Sequence, residues 1–166
     1  DSLSMAYSGS VYVLTGGATN PFVWSSDLVT FTAATLPASC DVTKGGVIVA
    51  YGAGIFVAWT RVVGDATFQL HQPIWSSDGK TWVLGGSAVS FSGNFFSMNY
   101  GQGGFVAGNG ASTNSLYYSA TGKSSWTVVN VPCLAWPYYL NGIWLAGTFG
   151  TISGIGTIYW ADPSNL

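Results

Sequence analysis

A two-part pattern occurs four times along this chain, and this repetition constrains the fold more than any single residue does. The first part is a pair of aromatic residues five positions apart, with at least one glycine between them: Tyr7 with Tyr12, Tyr51 with Phe56, Tyr100 with Phe105, and Tyr139 with Trp144. We interpret each pair as a β-hairpin, because glycine supplies the positive φ angle of a tight turn between apolar strands.

The second part is an aromatic residue followed by a turn rich in serine and aspartate. Its four copies begin at Trp24, Trp75, Tyr118 and Tyr159, and the second reads Trp75-Ser-Ser-Asp-Gly-Lys-Thr-Trp82. A serine hydroxyl and a carboxylate at this spacing can accept hydrogen bonds from successive backbone N–H groups, and Gly79 can adopt φ > 0. The pattern therefore predicts structural turns, whose residues are Ser25, Asp27, Ser76, Asp78, Gly79 and Thr81, followed by the packing residues Trp82 and Trp126.

The spacing of the hairpins indicates how the copies assemble. Corresponding hairpin aromatics lie 44, 49 and 39 residues apart, which is enough for four short strands in each copy. The first two strands of a copy are expected at 3–7 and 11–14, or at 47–51 and 55–59; a third enters the Ser/Asp turn and a fourth leaves it. Such a period is typical of β-propeller blades. We predict one all-β repeat domain, a four-bladed β-propeller-like fold with approximate repeats 1–36, 37–87, 88–131 and 132–166.

The fourth copy is shorter than the others. The sequence stops six residues after Trp160, so we expect the last blade to be incomplete, without its outer strand. An unpaired sheet edge would need to be covered by another chain or domain. The sequence also lacks an initiating methionine and a signal peptide, which indicates a processed chain or a fragment.

The charge composition supports an all-β fold and excludes some partners. Ten residues are charged and none is glutamate, which argues against solvent-facing helices. A net charge of −2 with scattered cations provides no basic stripe for nucleic acid. The uncharged stretch 47–60 is shorter than the roughly 20 residues of a membrane-spanning helix, so no membrane insertion is expected.

The two cysteines leave alternatives open. Cys40 and Cys133 occupy comparable places in their copies, each before a glycine hairpin. They could form a disulfide if the fold brings their Cα atoms within roughly 7 Å, or they could be two buried free thiols.

The segment from Trp75 to Trp82 resembles the Asp-box, Ser-x-Asp-x-Gly-x-Thr-Trp, of the sialidase-type (BNR) repeat families. In those families the box is structural. The first copy departs from it at Leu28, and the third copy has Thr121 in place of aspartate. The combination of the Tyr-Gly-x-Gly hairpin with this box resembles, more particularly, repeat proteins of bacteriophage virions. That resemblance implies a module on a capsid surface or a tail fibre, extracellular, with other virion proteins or copies of itself as partners and a host-surface glycan as a further ligand.

Catalytic chemistry has little support in the sequence. A sialidase-like site needs three arginines and a Tyr/Glu pair, but the chain has one arginine and no glutamate. His71 is the only histidine, so a metal site made of several imidazoles is excluded and any catalytic triad would have to use it. No phosphate-binding loop is present. We therefore predict no enzyme activity, no metal and no cofactor.

Two sets of residues are candidates for ligand binding. The first is the segment 60–73, the longest insertion between hairpin and box, which we expect to be a surface loop holding Arg61, Asp65 and His71. The alternative is a solvated loop without function. The second set is made of aromatic residues outside the repeat register, which could form an exposed platform for a sugar ring or a protein, or could be core: Trp59, Phe68, Trp136 and Tyr138.

These observations favour a non-enzymatic structural or adhesion module on a virion surface that acts through protein contacts and weak glycan binding. The alternative is a secreted multivalent lectin with sugar pockets in or between blades. A third hypothesis is a fragment of a sialidase-like glycoside hydrolase.

Overall fold

The computed structural model describes residues 4–16, 22–43, 47–67, 69–90, 93, 95–109, 115–130, 136–147 and 158–161. In this part of the chain the regular elements are all β-strands, grouped in four antiparallel sheets that follow one another along the sequence. We call each sheet a blade. The innermost strands of successive blades contact each other in chain order, so the predicted all-β, four-bladed β-propeller-like fold is confirmed.

The first two blades contain ten strands. Blade 1 has the order β1-β2-β3-β4, with the bounds β1 Ser4–Tyr7, β2 Tyr12–Thr15, β3 Phe22–Ser25 and β4 Thr32–Ala33. Blade 2 is larger because two short strands extend its four-stranded sheet; β5 pairs with β7, and β10 pairs with β8. Its strands are β5 Cys40–Asp41, β6 Ile48–Gly52, β7 Ile55–Val62, β8 Leu70–Ser76, β9 Val83–Leu84 and β10 Val89–Ser90.

The last two blades repeat this order. Blade 3 consists of β11 Phe95–Gly101, β12 Gly104–Asn109, β13 Ser115–Ser119 and β14 Thr127–Asn130. In blade 4, three described strands pair in sequence: β15 Trp136–Leu140, β16 Ile143–Gly147 and β17 Ile158–Ala161. Residues 162–166, where an outer strand would follow, lie outside the described residues.

The aromatic pairs of the sequence pattern are cross-strand neighbours at the turn of each hairpin. Tyr7 lies opposite Tyr12 with the rings stacked 4.1 Å apart. The ring centroids are 4.7 Å apart in blade 2, 4.9 Å in blade 3 and 5.0 Å in blade 4. The spacing of five residues therefore places one aromatic on each strand of a hairpin, on the same face of the sheet.

The Ser/Asp turns join the third and fourth strands of blades 1 and 2 with the same hydrogen bonds. In blade 2, Ser76 Oγ accepts from Gly79 N at 2.9 Å, while Asp78 Oδ1 accepts from Lys80 N at 2.8 Å and Thr81 N at 2.9 Å. In blade 1, Leu28 N donates to Ser25 Oγ at 2.9 Å. Leu28 and Gly79 have φ of 60° and 75°, so blade 1 places leucine in a conformation that favours glycine.

Adjacent blades pack face to face. We define the front face of a blade as the one toward the preceding blade, and the back face as the one toward the following blade. On the front face of blade 2, Val49, Phe56, Ala58 and Ile74 are at most 3% exposed, packed against Ala6, Val13 and Phe22 on the back face of blade 1. The same arrangement joins blade 2 to blade 3 and blade 3 to blade 4.

Glycine allows the blades to approach closely at two positions. A Cβ atom at Gly52 would overlap the ring of Tyr100 in the next blade, and a Cβ atom at Gly101 would overlap the ring of Tyr139. In the turns, a Cβ atom at Gly79 would lie 2.8 Å from Val13 Cγ2 of the preceding blade. Glycine is therefore required at all three positions for contact between blades, and at Gly79 also for the positive φ of the turn.

The expectation of a surface loop at 60–73 is wrong. Strand β7 continues to Val62 and β8 begins at Leu70, so the connection is confined to 63–69. Arg61 pairs with His71 within the sheet. The extension is stable because the short strands β5 and β10 pair with the lengthened parts of β7 and β8, satisfying backbone groups that a loop would leave to solvent.

Two further points concern cysteine and membranes. Cys40 lies on β5 and is partly buried, which raises the pKa of its thiol. Cys40 is a free thiol, and Cys133, its partner in the disulfide alternative, lies outside the described residues. No helix long and apolar enough to cross a membrane occurs in the described part of the chain.

Candidate functional site

Two of the residues predicted in the insertion, Arg61 and His71, form a row with Asp41 across blade 2. Asp41 is the cross-strand partner of Arg61, and Arg61 is the partner of His71, so the three side chains share one face of the sheet. Arg61 is 7% exposed and His71 is fully buried. Burial lowers the pKa of Arg61, while the negative charges of Asp65 and Asp41 act to raise it.

His71 is a core residue and is not free to act at the surface. Its Nε2 lies 3.1 Å from Gly93 O, and its ring meets Phe95 of blade 3 edge-on at 5.5 Å. Burial first, and then the charge of Arg61, lower the pKa of His71 from 6.5 to about 4. The imidazole is therefore neutral near pH 7, inside the junction between blades 2 and 3.

Asp65 organises the short connection between β7 and β8. Its carboxylate accepts hydrogen bonds from Leu70 N at 2.6 Å, Gln69 N at 2.7 Å and Thr67 N at 3.0 Å. The hydrogen bonds from Leu70 N and the Thr67 hydroxyl are the main reasons why the pKa of Asp65 is lowered to about 2. Together, the three predicted residues of the insertion occupy structural positions.

The predicted aromatic platform is divided between the core and the surface. Trp59 is fully buried, with Phe95 at 4.6 Å and Trp126 at 4.9 Å between ring centroids. Phe68 lies outside the described residues. Trp136 is half-buried and Tyr138 is 52% exposed; they are two positions apart on β15 and share one face.

That face is the back face of blade 4, and it is apolar beyond the two aromatics. Leu140 is 61% exposed and Ile143, its cross-strand partner, is 43% exposed. Leu145, which pairs with Tyr138, is half-buried. The sequence predicted the aromatics of this surface but not its aliphatic residues.

An equivalent surface at the other end of the chain was missed by sequence reasoning. The front face of blade 1 carries Met5, which is 59% exposed, and Tyr7, which is 46% exposed. Tyr12, Leu14 and Val23 are half-buried on the same face. In the neighbouring turn and strand, Leu28, Val29 and Phe31 are also exposed, Val29 to 81%. The signal that could have identified this surface is the replacement of Gly79 and Lys80 of the second copy by leucine and valine in the first.

A cleft of about 280 Å³ lies between the hairpin of blade 1 and the Ser/Asp turn of blade 2. Its apolar lining consists of Val11, Tyr51 and Phe56, and its polar lining consists of Ser8, Ser10, Ser77, Asp78 and Lys80. Lys80 Nζ lies 4.4 Å from the centre of the Trp24 ring, a cation–π contact across the same junction. Lys123 repeats this contact over Trp75 at 4.5 Å.

The carboxylates of the described residues are all acceptors in local turns. Asp27 Oδ1 accepts from Thr30 N and Val29 N, both at 2.8 Å, and these bonds lower its pKa. For Asp78, burial acts to raise the pKa, but the hydrogen bonds from Thr81 N and Lys80 N lower it overall. Asp41 Oδ1 accepts from Thr43 N at 2.9 Å. Within the described ranges, no group of three or more potential metal ligands is found.

Comparison with known proteins identifies the fold. No family model and no curated protein matches this chain. It is similar in structure to the GH43 BlXynB protein of Bacillus licheniformis, with a TM-score of 0.55, 16% identity, and coverage of 96% of this chain but 39% of that protein. The computationally designed Ika4 protein has a TM-score of 0.59 and 12% identity, with 96% of this chain and 91% of that one covered.

A third similar structure is 1,3Gal43A, an exo-β-1,3-galactanase from Clostridium thermocellum, with a TM-score of 0.50 and 18% identity over 95% of this chain and 47% of that one. This chain thus spans about two fifths of BlXynB and about half of 1,3Gal43A. Identities this low show the fold alone. The chain has a β-propeller-like all-β fold of the kind found in GH43 proteins.

Proposed function

We propose that this chain is a non-enzymatic adhesion module of a virion surface, on a phage capsid or tail fibre, which holds other proteins and weakly binds glycans. The observation that carries the non-enzymatic part is the state of its carboxylates. A glycosidase needs a carboxylic acid whose pKa is raised and a second carboxylate facing it. Asp27, Asp65 and Asp78 are instead held ionised by hydrogen bonds within their own turns.

The contact surfaces support the adhesion part of the proposal. The end blades expose apolar sheet faces whose counterparts in the middle of the molecule are core. Exposed apolar patches on soluble proteins typically mark interaction sites. The Ser/Asp turn is consistent with the resemblance to Asp-box repeats in a structural role, and the resemblance to phage repeat proteins supports a virion location.

A paired assay tests this proposal. The chain is incubated with fluorogenic galactosides and sialosides, and in parallel is applied to a glycan array. We expect no turnover above a heat-unfolded sample, and weak saturable binding that falls severalfold in Tyr138→Ser. Val128→Ser is the matched control, because Val128 is exposed to a similar degree, 48%, on the outer strand of blade 3. Turnover by the chain would overturn the non-enzymatic assignment.

The virion location needs its own measurement. Antibodies against the chain are expected to label the surface of intact phage particles that contain it. The location would be contradicted if the antibodies label only disrupted particles, or if purified particles do not contain the chain. Neither result would affect the assignment as a binding module.

The cleft between blades 1 and 2 favours the second candidate, a carbohydrate-binding lectin. At the junction between blades 2 and 3, the positions of Ser8, Ser10, Ser77 and Asp78 are held by Gly52, Gly54, Ala120 and Thr121. The hydroxyl-rich lining is therefore specific to the first junction and is not required by the repeat. If this cleft binds sugar, Ser77→Tyr should abolish glycan-array binding while Tyr138→Ser leaves it unchanged.

The third hypothesis, a fragment of a glycoside hydrolase, draws on the GH43 structures of which this chain covers less than half. Its catalytic residues would have to come from outside the described residues. Turnover of a fluorogenic glycoside above that of a heat-unfolded sample would support this hypothesis over the non-enzymatic one.

A further inference from the structure

We propose that the front face of blade 1 and the back face of blade 4 bind each other between two copies of this chain, head to tail. This inference rests on the proposed function as a contact module and names a second copy as the partner. The two faces correspond to the opposite halves of the interface that joins successive blades within the chain, with leucine in place of two of its close-contact glycines.

The front face of blade 1 corresponds, residue for residue, to buried surface in blade 2. Met5 occupies the position of Val49, which is 3% exposed, and Leu14 occupies the position of Ala58, which is fully buried. Tyr7 and Tyr12 correspond to Tyr51 and Phe56. In blade 2 these positions are buried, or half-buried at Tyr51, because the back face of blade 1 covers them. The same face in blade 1 remains open.

The back face of blade 4 is the complementary half. Tyr138 and Leu145 occupy the positions of Ala6 and Val13, which are 8% and 0% exposed in the junction between blades 1 and 2. Both replacements are larger, and each adds apolar area, the ring of Tyr138 and the isobutyl group of Leu145. The residues that define the two open faces carry no charge, so joining them would not bury an unpaired ion.

Two leucines distinguish this junction from the internal ones. Leu28 stands where blades 2 and 3 have Gly79 and Gly122, and Leu140 stands where they have Gly52 and Gly101. At all four glycines, a Cβ atom would come within 2.8 Å of a side chain in the adjacent blade or overlap it. Blade 4 and blade 1 of one chain therefore cannot close by repeating the internal contact. Two separate chains can adopt the wider spacing that the leucines need.

Light scattering with size exclusion tests the proposal on the full chain. We expect the wild-type mass to rise with concentration from 17.3 kDa toward twice that value or higher. Met5→Asp disables the front face and Tyr138→Asp disables the back face, each at a position more than half exposed, so the fold should tolerate both changes. Each variant alone should stay monomeric, with association at least about a hundredfold weaker, because a carboxylate would be buried without a partner.

A mixture of the two variants gives the decisive result. Head-to-tail pairing leaves one intact junction, between the back face of Met5→Asp and the front face of Tyr138→Asp, so the mixture should form a one-to-one complex. Val128→Asp is the control for added surface charge and should associate like the wild type. Near-ultraviolet circular dichroism verifies that each variant is folded.

Three outcomes would overturn the proposal. A wild-type chain that remains monomeric at all concentrations refutes self-association. A Tyr138→Asp variant that still dimerises indicates pairing of two front faces. Absence of complex in the mixture excludes the head-to-tail junction. None of these results bears on the non-enzymatic assignment, which the turnover assay tests, or on the virion location, which antibody labelling tests.

Discussion

The glycine in the turn of blade 2 provides a sharp test of how the blades are held together. Gly79 has φ of 75°, and a methyl group there would lie 2.8 Å from Val13 Cγ2 and 3.0 Å from Phe56 Cε2. Val13 and Phe56 are at most 1% exposed, and a β-branched valine has little rotamer freedom with which to move away. We predict that Gly79→Ala is strongly destabilising.

Gly54 is the matched control, because its φ is 77° and a Cβ atom there would meet nothing within 4 Å. Both substitutions impose the same left-handed strain, about 1–2 kcal/mol, and the same change in the entropy of the unfolded chain. Gly79→Ala adds overpacking of the junction, about 1–3 kcal/mol. In a chain of this size, that difference lowers the melting temperature of Gly79→Ala by on the order of 5 °C more than that of Gly54→Ala.

Thermal unfolding followed by circular dichroism, with urea titrations as a second measure, gives the comparison directly. The samples should be dilute, so that self-association does not contribute. Equal destabilisation by the two substitutions would refute the claim that the turn of blade 2 is packed against blade 1. It would mean that only the backbone conformation matters at Gly79.

Three further predictions follow from the repeat and the buried histidine. Leu28→Gly should raise the free energy of unfolding by up to about 1 kcal/mol in urea titrations, because it removes the strain of a leucine at φ 60°. Leu28→Ala is the control and should not raise it. An increase in both variants would contradict the strain argument. Thr121→Asp should stabilise the protein by about 1 kcal/mol in urea titrations. Thr121 Oγ1 accepts a long hydrogen bond of 3.3 Å from Lys123 N, whereas Asp78 Oδ1 accepts the equivalent bond from Lys80 N at 2.8 Å. Thr121→Val, which has no acceptor, should not be stabilised. Between about pH 6.5 and pH 4 the unfolded chain binds a proton at His71 that the folded chain does not, so stability should fall as pH decreases, by on the order of 3 kcal/mol in total. His71→Gln should flatten this dependence of stability on pH. The carboxylates with lowered pKa do not interfere, because they reduce stability only below about pH 4. If the slope in His71→Gln is unchanged, His71 is not buried as a neutral group.

The local features of the fold could be predicted from the sequence because they depend on neighbouring residues. Two aromatics five apart around a glycine fix a hairpin register, as in Tyr51 and Phe56. The turn at Ser76 and Asp78 is likewise completed by backbone groups within three residues. The segment 60–73 could not be predicted in the same way, because its strands are paired with β5 and β10, which come from before and after the hairpin.

The candidate surfaces were harder to predict because exposure depends on what lies beyond each blade. Trp59 and Tyr138 are both aromatic residues outside the repeat register. Trp59 is fully buried because blade 3 covers it, whereas Tyr138 is 52% exposed on the last described blade. The cleft joins Ser8 and Ser10 to a turn nearly 70 residues later. Its only signal in the sequence is serine at two positions where the second and third copies have glycine.

The central claim is that the open faces of the end blades are contact surfaces. Hydroxyl-radical footprinting with mass spectrometry tests it residue by residue across a range of protein concentrations. Met5 and Tyr138 are more than half exposed, and Tyr100, which is 38% exposed at the edge of an internal junction, serves as the reference. We predict that oxidation of Met5 and Tyr138 decreases together as the concentration rises, while that of Tyr100 stays constant. Oxidation of both residues that does not change with concentration would contradict the account.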